Sequence, residues 1–98
     1  MVDDRRSGAI LIYLSEGRSP FPRRDPDAVI REFPADGPEL LAYAEAVLHE
    51  MNSLPTDWAT ETYRDAIERV KNETARRHPE LSEEAVDAIG WVFSYKWK

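Results

Sequence analysis

The chain contains no cysteine, only two histidines and only four glycines in 98 residues. Without thiols it has no disulfide, no thiolate nucleophile, no sulfur-ligated zinc and no iron–sulfur cluster. The same absence fits a reducing compartment, so a cytoplasmic location is the expectation. Long apolar runs are missing too. The longest, Ala9 to Leu14, is six residues, far short of the 20 or so that span a bilayer. Arg5 and Arg6 ahead of that run imitate the start of an export signal, but Ser15, Glu16, Gly17 and Arg18 cut it off. Neither a membrane segment nor export is expected.

The few glycines form no phosphate-cradling loop, and no serine stands in a Gly-x-Ser-x-Gly setting. With histidine so scarce, acid–base chemistry has few carriers. A metalloprotease helix would need a second histidine four residues after His49, where the chain has Ser53. What survives is a thin set: Glu45 and His49 one turn apart, Asp57 beside Trp58, and His78 as a remote third ligand. Glu45, His49 and Asp57 define the alternative reading, a small metal-dependent or accessory enzyme. The plainer reading makes the first two a solvated helix pair and Asp57 a helix cap, and no cofactor is expected.

What the chain does have is charge. Nineteen acids against thirteen bases give a net charge of −6. Residues 1 to 24 hold five arginines and three acids, a net of +2; the remaining eight bases and sixteen acids give −8. Nucleic acid is therefore not an expected partner, because an acidic body repels phosphates even where Arg18, Arg23 and Arg24 could touch them. An acidic regulator that imitates nucleic acid for a basic partner is a further alternative.

Seven prolines, at 20, 22, 26, 34, 38, 55 and 79, divide the chain into short segments. Leu40, Ala44, Val47, Met51 and Leu54, widened by Leu41 and Leu48, make an amphipathic stripe that predicts a helix opening at Asp36, with Glu39 completing a capping box. Ala59, Tyr63, Ala66, Ile67, Val70 and Thr74 predict another, capped at Thr56 or Asp57 and ending before Pro79. Its surface pairs acids with bases: Glu61 with Arg64, Asp65 with Arg69, Glu68 with Lys71, Glu73 with Arg77. Each pair is worth roughly 0.2–0.5 kcal/mol. Asp25 and Pro26 read as the cap and first residue of a two-turn helix with Val29, Ile30 and Phe33 inward. Ser82 reads as a cap, followed by Glu83 and Glu84 in a first turn.

Two stretches fit helix and strand alike. Trp91, Phe93, Tyr95 and Trp97 alternate with Val92, Ser94, Lys96 and Lys98, and Ala9 to Leu14 is the one partner a strand there could find. Carrying a well-capped helix through Gly90 costs only about 1 kcal/mol, so helix is preferred. The expected fold is one all-α domain over residues 1–98, a bundle of four to five short helices with 17–25 as a proline- and arginine-rich connecting loop. The alternative is an α+β fold pairing residues 9–14 with 91–97.

Two features look like contact surfaces. One is the loop Ser19-Pro20-Phe21-Pro22-Arg23-Arg24, a stiff backbone with Phe21 as an apolar anchor between prolines and arginines that would meet an acidic partner. The other is the C-terminal stretch, where four of ten aromatics fall within seven residues. Rings so crowded cannot all enter one helix stripe, and Trp and Tyr suit interfaces. The expected function is a non-catalytic interaction or regulatory module. Phe21, Arg23, Arg24, Trp91, Tyr95, Lys96 and Trp97 would contact another protein or a second copy of the chain.

Overall fold

Five helices account for the secondary structure of the computed structural model, which describes residues 2–15, 17, 19–20, 22–54 and 61–96, the last by its backbone alone. They are α1 (Asp4–Tyr13), α2 (Pro26–Glu32), α3 (Gly37–Asn52), α4 (Tyr63–Arg77) and α5 (Glu83–Lys96). The all-α expectation holds, and among the described residues there is no strand. Ala9 to Tyr13 belong to α1 and Trp91 to Lys96 to α5, so the two ambiguous stretches are helical over these residues.

Local chemistry sets most helix starts. The Asp3 carboxylate accepts from the amides of Arg5 and Arg6 at 3.0 and 3.1 Å. Asp25 accepts from Ala28 at 3.1 Å ahead of Pro26, and the Ser82 hydroxyl accepts from Ala85 at 3.2 Å. Such caps satisfy amides that have no partner within the helix, each worth about 1 kcal/mol.

Two starts differ from the sequence reading. Asp36 precedes α3 but makes no side-chain cap, because its carboxylate is drawn into an ion pair with Arg5 of α1. The helix predicted to begin at Thr56 or Asp57 begins at Tyr63, capped by Thr62, whose hydroxyl accepts from Asp65 at 3.1 Å. Thr56, Asp57 and Trp58 lie outside the described residues. The ion pairs shift accordingly: Arg69 grips Glu61 through two bonds of 2.8 and 3.1 Å, while Glu73 with Arg77 and Glu68 with Lys71 pair as expected.

The shared element is α1, which packs against α2, α3 and α5, while α2 lies on α3 and α4 lies on α5. The core they enclose includes Ile10, Leu14, Val29, Ala44, Val47, Met51, Val70, Ile89 and Phe93, all at most 2% exposed. Each large member contributes roughly 1.5–3 kcal/mol. The stripe expected on α3 is the buried one, whereas Ile30 of α2 is 38% exposed. Its backbone makes the closest contact there. A Cβ on Gly37 would sit 2.9 Å from the Ile30 Cα, so glycine lets α2 and α3 approach. Gly90 faces a flexible side chain instead, where Lys71 of α4 crosses α5: a Cβ there would lie 2.8 Å from the Lys71 Cγ and Cδ. Thr74 is fully buried yet satisfied, donating to the Val70 carbonyl at 2.7 Å. The first turn of α1 is tied to the turn before α5, where the buried Ser7 hydroxyl accepts from the Ser82 amide at 2.8 Å.

Candidate functional site

The end of α1 decides where Arg23 and Arg24 go. Ser15, just past the helix, has φ 63°, a left-handed conformation that strains a non-glycine residue by about 1–2 kcal/mol. The reversal brings the chain back alongside the helix. The buried Ser15 hydroxyl donates to the Arg23 carbonyl at 2.9 Å. The Arg23 amide donates to the Leu14 carbonyl at 3.3 Å, and the Asp25 amide to that of Tyr13 at 2.8 Å. Arg23 and Arg24 are exposed, and among the described residues neither has an ion pair.

The C-terminal half of α5 runs beside this loop. Its aromatics separate by face: Phe93 is buried, Trp91 half-buried and Tyr95 41% exposed. The Trp91 and Tyr95 rings meet edge to face at 6.1 Å and 84°, an arrangement favoured by the ring quadrupoles. The Tyr95 hydroxyl donates to the Pro20 carbonyl at 3.2 Å, which fastens the loop to the helix.

Loop and helix together enclose a cleft of about 310 Å³ lined by Leu14, Pro22, Arg23, Arg24, Val92 and Tyr95. Three of the predicted contact residues, from opposite ends of the chain, thus line one cleft. Trp91 lines a neighbouring cleft of about 550 Å³ with Gly17, Ser19, Glu84, Asp87 and Ala88. Asp87 is partly neutralised there by Lys71, 2.9 Å away, and its hydrogen bond holds the Lys71 ammonium above its ordinary range. Phe21 and Trp97 lie outside the described residues, and the same holds for the Lys96 side chain.

Glu45 and His49 line a third cleft, of about 410 Å³, with Tyr13, Arg24, Ala46, Leu48 and Asn52. Asp57, the third member of the enzyme alternative, lies outside the described residues. Among the described residues, no group of three or more histidines and carboxylates is arranged to hold a metal ion.

His78, the remote third ligand of that reading, joins a polar clasp. Its Nε2 lies 3.1 Å from a Glu50 oxygen and its Nδ1 3.1 Å from a Glu80 oxygen. Tyr43 donates to the same Glu80 oxygen, and Arg77 donates to Glu50 at 3.0 Å and Glu73 at 2.8 Å. Arg6 stacks over the Tyr43 ring at 4.9 Å. The charges are tuned together. Arg77 hydrogen bonding holds the Glu50 carboxyl below its ordinary 4.5, against burial and helped by His78. Burial opposes ionisation of Glu80, but bonds from Tyr43, its own amide and His78 outweigh it and bring it down. Arg76 and Arg77 lower Glu73 to about 2, and burial, then Glu80, pushes the Tyr43 hydroxyl up. The sequence carried one trace of this clasp, a His-Pro-Glu turn at 78–80 after a helix ending in two arginines. Every group in it is engaged by another, which suits a brace between α3 and the α4–α5 turn.

Among the described residues, these elements define an all-helical fold in which the loop and α5 form a basic, aromatic-edged cleft. No helix among the described residues is long and apolar enough to cross a membrane. No family model, curated protein or solved structure matches the chain.

Proposed function

We propose that the chain is a non-catalytic interaction module whose loop 22–24 and α5 together dock an acidic segment of a partner protein. The observation that carries this reading is the convergence of Arg23, Arg24 and Tyr95 around an apolar floor of Leu14, Pro22 and Val92. Two exposed arginines, without carboxylate partners among the described residues, supply charge for an acidic ligand, and the floor and Tyr95 ring take an apolar anchor. The strained Ser15 supports it too, since strain kept at a loop is commonly tied to that loop's task.

The test uses the full chain and a labelled peptide with aspartates and glutamates flanking one tryptophan, read by anisotropy. The contact is small, so Kd falls on the order of 100 µM. Arg23→Glu with Arg24→Glu weakens it at least about tenfold, and a peptide with the acids replaced by glutamines binds the unaltered chain correspondingly less. Equal binding of acidic and neutral peptides, or of the parent and reversed chains, refutes the reading.

A further inference from the structure

We infer that the acidic segment received by this cleft is the flank of α5 in a second copy of the chain, an inference that rests on the docking reading above. Glu84, Asp87, Trp91 and Tyr95 follow one another at steps of three or four, so they lie along one side of α5. That side is polarised. Glu84 and Asp87 border the cleft beside Trp91, toward the N-terminal half of the helix, whereas Arg23 and Arg24 border the second cleft, at Tyr95.

A surface negative at one end and positive at the other is complementary to itself when turned by a two-fold axis. Trp91 marks the place for that axis, with Asp87 and Tyr95 each four residues away. Two antiparallel α5 helices crossing there set Asp87 against the second copy's Tyr95. Glu84 then points toward the second copy's Arg23 and Arg24, and symmetry repeats each contact. Asp87 is already engaged by Lys71 at 2.9 Å, so Glu84 supplies most of the attraction; among the described residues it has no ion pair. The half-buried Trp91 ring meets its own copy at the centre, where an aromatic anchor is most effective. From Glu84 to Tyr95 the helix runs only about 16 Å, which makes the association weak and concentration-dependent, with Kd on the order of 10–100 µM.

Sedimentation equilibrium of the full chain, from about 1 µM to about 1 mM, reads the mass directly. The chain passes from monomer to dimer across that range. Arg23→Glu with Arg24→Glu, and separately Glu84→Arg, each raise the midpoint at least about tenfold. An equimolar mixture of the two variants regains a dimer near the original midpoint, because both contacts then pair opposite charges. If a reversal unfolds the chain, Arg23→Gln with Arg24→Gln and Glu84→Gln read the same shift in smaller measure. A monomer throughout, a dimer indifferent to all these changes, or a mixture that fails to recover although both variants fold overturns the self-association. If the chain is monomeric yet still binds the acidic tryptophan peptide, only the self-association falls. Loss of both refutes the docking reading as well.

Discussion

Gly37→Ala and Gly90→Ala add the same methyl group in two helices, and the fold predicts different costs. At Gly37 the new Cβ would stand 2.9 Å from the Ile30 Cα, 3.1 Å from its Cδ1 and 3.5 Å from its carbonyl oxygen. Carbon atoms rest at about 3.5–4.0 Å, so the pair is too close by more than about half an ångström. The Cδ1 can rotate away, since Ile30 is partly exposed, but the Cα moves only with α2. That helix is anchored by fully buried Val29, and shifting it opens gaps around Val29. Overpacking of this kind costs about 1–3 kcal/mol. At about 2 kcal/mol the melting temperature falls by roughly 8–16 °C for a domain of this size.

At Gly90 the obstruction is the Lys71 side chain alone, at 2.8 Å from Cγ and Cδ. Swinging it aside gives up its pair with Asp87, worth about 0.2–1 kcal/mol at so open a site. Alanine returns about 0.5–1 kcal/mol of helix propensity. The net change stays within about 1 kcal/mol of zero. Thermal and urea unfolding followed by circular dichroism measures both. Equal losses for the two variants, or a Gly37→Ala chain that melts like the parent, would refute the argument that backbone contact and flexible side-chain contact differ in kind.

Other outcomes follow from the clasp and the loop. Glu50 and Glu80 both titrate below 4.5 in the folded chain, so the unfolded chain binds protons first. Their contribution is complete above about pH 5 and is lost as pH falls through the folded values below 4.5. Glu50→Gln with Glu80→Gln flattens that acid limb in a pH series of urea midpoints, and an unchanged limb contradicts the assignment. Ser15→Ala removes the hydroxyl bond to Arg23 while leaving φ 63° in place, costing about 1–2 kcal/mol and weakening the acidic peptide. Ser15→Gly also loses the bond but relaxes the backbone, so it unfolds at higher urea than Ser15→Ala; the reverse order would refute the strain.

What was legible in the sequence was local. Asp25 with Pro26 and Ser82 with its two glutamates announce caps because the groups they satisfy lie within four residues. The α3 stripe was legible because burial of Leu40, Ala44, Val47, Leu48 and Met51 obeys one helical period. Asp36 misled because the force on its carboxylate comes from Arg5, 31 residues away. The start of α4 misled because Thr56, Asp57 and Thr62 offer the same cap chemistry, and no local rule ranks them. In the C-terminal stretch, the pattern fits helix and strand alike and does not say which rings go inside; tertiary packing divided the rings, burying Phe93 and leaving Tyr95 at the loop. The candidate site was half legible. Arg23, Arg24 and Tyr95 each stood out by residue type, but their meeting depends on the reversal at Ser15, where an ordinary serine adopts a conformation its identity does not announce. The clasp around His78 joins α3 to the α4–α5 turn, and nothing in the spacing of Tyr43 and Glu50 points to it.

The central claim, that the loop and α5 form one docking surface, is tested most directly by titrating the isotopically labelled chain with the acidic tryptophan peptide and following its amide resonances. The account predicts that Leu14, Arg23, Arg24, Val92 and Tyr95 shift together along one saturating curve, while Glu45, His49 and the clasp around His78 stay still. Shifts centred on Glu45 and His49, or spread along the ion-paired surface of α4, would contradict it.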